Sequence, residues 1–372
     1  MKVALIHDWL PFMGGAERVL INFLDLYKEA PIYTTICNKE NLDSPLKEAK
    51  IITSSLQKGK KEIKNHRKLF PFMPTAMESF NLNKYDLILS SSSCVAKGVI
   101  TNPNTIHVCY CHSPMRYGWE FYYDYAEKMV GKKLKGDGLK YFMSAMRVWD
   151  NVSSDRVDYF IANSQNVAKR IWKHYRRESV VIHPPVRCNL FNVSDKNEDY
   201  FLVLSRLQEY KRIDLAVKAF NELGLPLVII GDGPDREKLK SIAKANIKFL
   251  GRQPDTVIKE YYAKCKALIF PGEEDFGITP LEAMASGRPV IAYEKGGALE
   301  TIVENKTGIF FKEQTVSDLI KAIKRFDEMK FNKLEIRKHA EKFDESVFKD
   351  KINNFIKEKY TTFLNSKKWS VL

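Results

Sequence analysis

Short apolar runs alternate with amphipathic stretches along the whole chain. In the first half, the runs that predict strands are Val3–His7, Ile32–Ile36, Tyr85–Ser90, Thr105–Cys111, Tyr159–Asn163 and Val180–His183. In the second half, they are Tyr200–Leu204, Leu227–Ile230, Ile247–Leu250, Ala267–Phe270, Pro289–Ala292 and Gly308–Phe311. Stretches between them, such as Ala16–Glu29 and Gln165–Tyr175, have helical spacing. Strands that alternate with helices predict βαβ units, so we expect an α/β protein with parallel sheets.

The alternation is interrupted near the middle of the chain. Pro184 and Pro185 stop regular structure, and the polar stretch Asn192–Asp199 offers little to bury. The predicted parts are an N-terminal domain over 1–185, a linker over 186–199, a C-terminal domain over 200–350 and a C-terminal helix over 351–372 that returns to the first domain. Each domain is predicted to hold a doubly wound, Rossmann-like sheet, and the two domains are expected to face each other across a cleft. Ligands are expected at the loops that follow the strands.

Composition and charge narrow the functional class. Hydrophobic residues make up 44% of the 372 positions and charged residues 28%, which is typical of a globular protein and excludes disordered and fibrous ones. The formal net charge of +14 favours an anionic partner. A phosphate-bearing ligand, an acidic lipid and a nucleic acid all satisfy that condition.

The cysteines and the apolar runs indicate the compartment. The six cysteines form no CxxC pair and have no histidine at zinc spacing, so we expect reduced thiols. No run approaches the roughly 18 apolar residues that span a membrane, and Met1–Ile6 is too short for a signal peptide. We therefore expect a cytoplasmic protein that can lie peripherally on the inner face of the cytoplasmic membrane.

The stretch Pro271–Gly287, PGEEDFGITPLEAMASG, directly follows a predicted strand. It has the pattern of a loop that leads into a helix. Gly277 has no side chain and lets the backbone come close to a ligand, and Thr279 is a suitable N-cap. Free N–H groups at such a helix start favour an anion. Glu274 and Glu282 are expected to hold different parts of one ligand, and a carboxylate suits a vicinal diol such as a ribose. Two surface glutamates beside a helix start are the alternative interpretation.

Two basic residues follow the first predicted strand of the second half. Arg206 offers a planar fork and Lys211 a point charge, a combination suited to a diphosphate whose charge grows as a glycosidic bond breaks. A solvated basic face would have the same composition. The position after a buried strand favours the phosphate-binding interpretation.

Two loops of the first half also follow predicted strands. Gly14 and Gly15 open a helix, where glycines let the backbone approach a ligand and the helix N-terminus favours negative charge. His112 lies after another strand, and both a catalytic and a structural role fit that position. Asp8 and Glu17 are compatible with helix capping or with plain surface charge.

These residues resemble one known family. The text Glu274–Gly287 is similar to the Glu-x7-Glu motif of retaining nucleotide-sugar glycosyltransferases of the GT-B type, in the fourth sequence family, the group 1 glycosyl transferases. Arg206 and Lys211 match the phosphate-binding pair of that family, and His112 matches its active-site histidine. The resemblance implies a GT-B fold.

The resemblance also implies the site residues and their roles. It assigns Glu282 to the ribose, Arg206 and Lys211 to the diphosphate, Glu274 to the sugar hydroxyls and His112 to the reacting sugar. The implied catalytic set is His112, Glu274, Arg206 and Lys211. The implied donor contacts are Gly14, Gly15, Arg206, Lys211, Arg252, Glu274, Phe276, Gly277, Ile278, Thr279 and Glu282.

The implied reaction is hexose transfer with retention of anomeric configuration. The N-terminal sequence IHDWLP and the sequence HSPMRYGW most resemble the corresponding motifs of bacterial mannosyltransferases of polysaccharide and O-antigen assembly. GDP-mannose is therefore the first expected donor and a UDP-sugar the second, with a glycan or a lipid-linked glycan as the acceptor. No Asp-x-Asp motif is present, so we expect no metal and no cofactor, with basic side chains and amides neutralising the diphosphate.

A basic segment in the first half is the candidate for the acceptor or membrane side. Leu56, Ile63 and Phe70 recur every seven residues as an apolar stripe beside it, and the aromatic text FPFMP follows. The segment can be a solvated face or an interfacial segment that binds anionic lipid headgroups. Its basic residues are Lys58, Lys60, Lys61, Lys64, Arg67 and Lys68.

Two other functional classes remain open. A regulatory protein with the same fold would bind a sugar nucleotide without turnover. A basic nucleic-acid-binding protein would explain the charge, but no aromatic platform or recognition motif is present, so no nucleic acid is expected.

Overall fold

A computed structural model describes residues 1–59, 66–120, 122–123 and 137–366. The chain divides into two compact units, the first made of Met1–His183 with Lys349–Leu372 and the second of Pro184–Phe348. Each unit is built on its own sheet.

The first unit holds a parallel sheet within its described residues. Its strands are β1 (Val3–His7), β2 (Ile32–Thr34), β3 (Ile51–Thr53), β4 (Leu87–Ser92), β5 (Ile106–Cys111), β6 (Tyr159–Ala162) and β7 (Ser179–Val181). They lie in the order β3-β2-β1-β4-β5-β6-β7. Its helices include α1 (Gly15–Leu26), α2 (Met73–Glu78), α3 (Asp137–Ser153) and α4 (Gln165–Tyr175).

The second unit repeats the design with six parallel strands. They are β8 (Phe201–Leu204), β9 (Leu227–Ile230), β10 (Ile247–Gly251), β11 (Leu268–Phe270), β12 (Val290–Tyr293) and β13 (Gly308–Phe311), in the order β10-β9-β8-β11-β12-β13. The helices are α5 (Ile213–Leu223), α6 (Arg236–Ile242), α7 (Asp255–Lys264), α8 (Ile278–Ala285), α9 (Ala298–Thr301), α10 (Val316–Asp327) and α11 (Lys333–Ala340). Successive strand residues enter opposite apolar clusters, Phe201 and Val203 on one face and Leu202 on the other. Both faces of this sheet are therefore covered, as parallel sheets require.

The last helix, α12 (Glu345–Ser366), begins in the second unit and belongs to the first from Lys349 onward. Lys349 Nζ lies 2.7 Å from Asp25 Oδ2, and the Phe355 ring contacts that of Tyr159. Within the described ranges, no helix combines the length and the apolar content needed to cross a bilayer.

The predicted class, α/β with two doubly wound parallel sheets, is confirmed. Four elements, β1, β9, β13 and α4, have the predicted bounds, and Ser164 caps α4 by accepting from the Val167 amide at 3.1 Å. The pattern missed β3, because its three residues are only half-buried. It also ended β4 too early, because Ser90, Ser91 and Ser92 are polar but buried within the strand.

Residues 186–199, predicted as a linker, lie in the second unit. Val186, Cys188 and Phe191 are buried in its core, and Val186 forms a parallel bridge with Asp344. These apolar side chains, together with hydrogen bonds from Arg288 to Ser194 and Lys196, attach this mainly polar stretch to the domain.

Each sheet has one place where the strand order reverses. In the first sheet it lies between β1 and β4, and in the second between β8 and β11. Loops after the carboxyl ends of strands at such a switch point are where open α/β sheets bind ligands.

Candidate active site

An ion pair spans the switch point of the second unit. Lys211 lies in the loop after β8 and Glu274 in the loop after β11, and Lys211 Nζ contacts Glu274 Oε1. Their side chains are 14% and 22% exposed, so both charges remain partly open to solvent. Arg206, in the same loop as Lys211, is exposed. Two of the predicted phosphate and sugar residues are therefore in direct contact.

Glycines let the two loops approach each other. A Cβ at Gly272 would lie 2.9 Å from both the Cα and the carbonyl oxygen of Lys211. Gly296 has a φ of +62°, and a Cβ there would clash with the carbonyl oxygen of Glu274. That oxygen accepts from the Gly297 amide at 2.9 Å. A side chain at either position would displace the backbone that carries the ion pair.

Glu282 lies inside helix α8 and is only 6% exposed. The Tyr262 hydroxyl donates to its Oε2 at 3.0 Å. This contact fixes the position of one carboxylate oxygen and therefore the orientation of the whole carboxylate group. Tyr262 was not among the predicted residues, and a tyrosine in the last turn of helix α7 gives no sequence signal for this role.

Helix α8 begins two residues earlier than the capping pattern predicted. Gly277 is the N-cap, with a φ of +84°, so Thr279 lies inside the first turn instead of capping it. Glycine fits here because a Cβ would lie 2.9 Å from Cζ of Phe270. Phe276, predicted as a donor contact, is 3% exposed and belongs to the apolar core, which leaves its backbone as the part able to meet a ligand.

Asp8 anchors the switch point of the first unit. It follows β1, is 3% exposed, and accepts backbone amides of the loop after β4: Ser93 at 2.6 Å, Val95 at 2.7 Å and Ala96 at 2.6 Å. Burial raises the pKa of Asp8, while His7 and these amides oppose the change. Asp8 is therefore neither a surface charge nor a cap of α1, because its carboxylate joins the ends of two neighbouring strands.

A buried hydrogen-bond chain reaches His112. His7 Nε2 lies 3.4 Å from Glu17 Oε1, and His7 Nδ1 lies 3.1 Å from Ser91 Oγ. Ser91 Oγ lies in turn 2.8 Å from Nε2 of His112. Burial, with a smaller contribution from His7, lowers the pKa of His112 to about 3. His112 is therefore a neutral imidazole near pH 7 with one nitrogen already bonded.

Gly14 and Gly15 lie at the start of α1, as predicted. A Cβ on Gly14 would come within 2.9 Å of Glu17 Oε2. Glu17 is 7% exposed, so it is a buried first-turn residue and not a surface charge.

Comparison with known proteins identifies the family. Residues 13–190 match the family model Glycosyltransferase Family 4, and residues 190–349 match Glycosyl transferases group 1. Together the two matches span residues 13–349, and the chain is built from a Glycosyltransferase Family 4 domain and a group 1 glycosyl transferase domain.

Individual relatives and one solved structure agree with this assignment. Alpha-1,3/1,6-mannosyltransferase ALG2 of Dictyostelium discoideum is 24% identical over 75% of this chain and 77% of its own. GDP-mannose-dependent alpha-mannosyltransferase of Mycolicibacterium smegmatis is 39% identical over 28% of each chain. The crystal structure of Anabaena Alr3699/HepE in complex with UDP has a TM-score of 0.71 at 17% identity and covers 96% of this chain and 100% of that one. The predicted GT-B fold is confirmed, and the chain is a glycosyltransferase with mannosyltransferase relatives.

Other predicted residues of this glycosyltransferase lie outside both the Lys211–Glu274 pair and the buried groups around Asp8 and His112. Arg252 is exposed in the loop after β10. Of the basic segment, Lys60, Lys61 and Lys64 lie outside the described residues, while Lys58 and Lys68 are exposed. The backbone of Arg67, the remaining basic residue of this segment, lies within the described range that begins at residue 66.

The apolar stripe beside that segment is not a lipid-facing surface as a whole. Phe70 is fully buried in the core of the first unit, and Leu56 packs against the same cluster. Phe72 is 60% exposed. Phe70 therefore packs in the domain core and not against lipid, and Ile63, the third member of the stripe, lies outside the described residues.

Among the described residues, no group of three or more histidine, cysteine, aspartate or glutamate side chains is arranged to hold a metal ion.

The six cysteines are free and buried. Burial raises the pKa of Cys109 to about 12.

Proposed function

We propose that this glycosyltransferase moves a hexose, mannose first, from a nucleotide sugar to a hydroxyl of a glycan or a lipid-linked glycan. The observation that carries the proposal is the Lys211–Glu274 ion pair at the switch point of the second unit. A cation beside a carboxylate matches a ligand that presents a phosphate and a hydroxylated sugar side by side. The product belongs to cell-surface polysaccharide synthesis, as the resemblance of the IHDWLP text to polysaccharide mannosyltransferases suggests.

The donor is held by five groups in the proposed assignment. Glu282 binds the ribose hydroxyls, Arg206 and Lys211 the diphosphate, Glu274 the sugar hydroxyls, and His112 the reacting sugar. The amides at Gly277–Thr279 add to phosphate binding because N–H groups at a helix start point out of the helix. Lys211 leaves Glu274 for the diphosphate when the donor binds, since the diphosphate carries two negative charges and the carboxylate carries one.

GDP-mannose is the first donor and a UDP-sugar the second. The Mycolicibacterium smegmatis relative carries GDP-mannose in its name, whereas the Anabaena structure contains UDP. The 39% identity to the GDP-mannose-dependent protein exceeds the 17% identity to the UDP-bound one, although it covers a shorter part of the chain. This difference ranks the two donors.

The proposed mechanism retains the anomeric configuration. The acceptor hydroxyl attacks from the face that the diphosphate leaves, through an oxocarbenium-like state. Arg206 and Lys211 supply most of the rate enhancement because the negative charge on the diphosphate grows in that state. No metal is required in this proposal, since two cations and backbone amides are assigned to neutralise the leaving group.

The acceptor side is proposed from the sequence. The exposed Lys58, Lys68 and Phe72 fit a protein that meets anionic lipid headgroups at the inner face of the cytoplasmic membrane. Flotation with anionic and with neutral vesicles tests this. Unchanged binding after Lys60→Glu, Lys61→Glu and Lys64→Glu would remove the proposal.

A thermal-shift panel tests the donor. GDP and GDP-mannose should raise the melting temperature more than UDP and UDP-glucose, because a ligand that binds only the folded state stabilises it by about 2.7 kcal/mol at a hundredfold excess over Kd. If none of these four ligands changes the melting temperature, the proposed function is wrong. Glu282→Ala should abolish most of the shift, whereas Glu274→Ala and His112→Ala should retain it.

Turnover separates an enzyme from a regulatory protein. Release of nucleoside diphosphate in the presence of a crude lipid-linked acceptor fraction is the expected result, and the anomeric proton of the product should show retention by NMR. Nucleotide binding without release would favour the regulatory alternative. Activity that is lost with EDTA and restored by Mg²⁺ or Mn²⁺ would contradict the metal-free mechanism.

A further inference from the structure

The chain Glu17–His7–Ser91–His112 joins four side chains from α1, β1, β4 and the loop after β5. Three of them are almost completely buried: His7 is 2% exposed, Ser91 0% and Glu17 7%. The sequence pattern gave His7 and Ser91 no functional role, and Glu17 only that of a cap or a surface charge. All four belong to the first unit.

Proton counting restricts the bonds in this chain. The Glu17 carboxylate only accepts, so His7 Nε2 carries a proton and donates to it. When His7 carries only this one proton, its Nδ1 has a lone pair, and the Ser91 hydroxyl donates its single proton to that atom. Ser91 Oγ is left as an acceptor for His112, so His112 Nε2 must carry a proton and donate.

We propose that Glu17, His7 and Ser91 are positioning residues that fix the tautomer of His112, with the proton on Nε2 and the lone pair on Nδ1. His112 Nδ1 is then a hydrogen-bond acceptor, suited to a hydroxyl of the transferred sugar and unsuited to its ether or phosphate oxygens. That role toward the sugar rests on the proposed function, whereas the tautomer itself does not. Glu17 acts at a distance, through two intervening hydrogen bonds.

The alternative arrangement has a different signature. If His7 carried protons on both nitrogens, Ser91 would accept from His7 and donate to His112 Nε2, and the His112 proton would lie on Nδ1. The tautomer of His112 therefore shows in which direction the protons are donated along the Glu17–His7–Ser91–His112 hydrogen bonds.

Heteronuclear NMR on protein labelled with [¹⁵N]histidine tests the proposal without any substrate. The chain contains seven histidines, so the imidazole signals are few enough to assign by single substitutions. At pH 7.5 the His112 signal should show a protonated Nε2 and an unprotonated Nδ1. A proton on Nδ1, or an even mixture of both forms, overturns the proposal.

Neighbouring serines of β4 provide a matched pair of variants. Ser90 Oγ contacts His107 Nε2 at 2.8 Å, as Ser91 Oγ contacts His112 Nε2, and both serines are 0% exposed. Ser91→Ala should release the tautomer of His112 to a mixture and lower kcat by about 2- to 10-fold, the range of one hydrogen bond. Ser90→Ala should leave both the tautomer of His112 and kcat unchanged. Equal effects of the two variants would show that the chain is only structural.

A second variant keeps the test independent of packing. Glu17→Gln preserves size, but its amide can donate as well as accept, so the direction of the chain is no longer fixed. We expect a mixed His112 tautomer with an unchanged nucleotide-induced thermal shift. If the Nε2 form persists in Glu17→Gln and Ser91→Ala alike, the proposal is overturned, while nucleotide binding continues to test the proposed function separately.

Discussion

The two units hold their candidate functional side chains at equivalent switch points, but by different interactions. In the first unit, Asp8 accepts three backbone amides and His112 belongs to a chain of buried side chains. In the second unit, Lys211 and Glu274 are partly exposed and contact each other. Buried polar groups are costly to leave unpaired, whereas a partly exposed ion pair contributes little to stability. The first group of contacts is therefore part of the fold, whereas breaking the Lys211–Glu274 contact should cost little stability.

The largest effect is expected at Asp8. Asp8→Ala leaves three amides without their acceptor, and we expect a loss of about 3–5 kcal/mol in the free energy of unfolding, since each unpaired buried group costs about 1–3 kcal/mol. Urea denaturation followed by circular dichroism measures it. Asp25→Ala is the control, because its partly exposed pair with Lys349 should contribute less than about 1 kcal/mol. Similar losses for both variants would remove the contrast between the units.

Lys211→Ala should show the opposite behaviour. The free energy of unfolding should change by less than about 1 kcal/mol, while kcat falls by about 10²–10³-fold because a charge that stabilises the transition state is gone. Nucleoside diphosphate release gives the rate. Lys218→Ala, which removes an exposed partner of Asp214 on α5, should change neither quantity. A Lys211→Ala protein with full activity would contradict the assigned role.

Gly272→Ala sharpens the comparison by moving the second cluster without changing its charges. The added Cβ forces the loop away from Lys211, and we expect kcat/KM to fall by about 10- to 100-fold, as displacements near 1 Å do. Gly224→Ala is the counterpart. Its φ of +70° makes alanine costly by about 1 kcal/mol in stability, yet nothing lies within 4 Å, so kcat/KM should not change.

The smallest effect is a pH dependence that originates in the first unit. Burial lowers the pKa of His107 to about 4. Below pH 6.5, His107 therefore binds a proton in the unfolded chain but not in the folded one. Stability from this group is present above pH 6.5 and is lost as the pH falls toward 4, with a slope of at most about 1.4 kcal/mol per pH unit. Urea denaturation at pH 7.5, 6 and 5 should show a shallower slope for His107→Gln than for the wild type. An identical slope would show that His107 does not carry the effect.

The sequence named both members of the Lys211–Glu274 pair but missed His7 and Ser91. Lys211 lies in a loop directly after a strand and Glu274 in a compact motif after another, so local pattern and position agree at both residues. His7 and Ser91 were missed because their partners are distant in the chain: Ser91 is 84 residues from His7. Tyr262, 20 residues before Glu282, was missed for the same reason.

Alternating apolar and amphipathic segments determined the two parallel α/β sheets, and a specific local motif determined the family, because both signals depend on neighbours in the chain. The pairing of Lys211 with Glu274, the burial of Phe70 and the direction of the Glu17–His7–Ser91–His112 chain were decided by the tertiary structure. Each of them depends on which strands become neighbours in a sheet, and that order is a property of the folded chain as a whole.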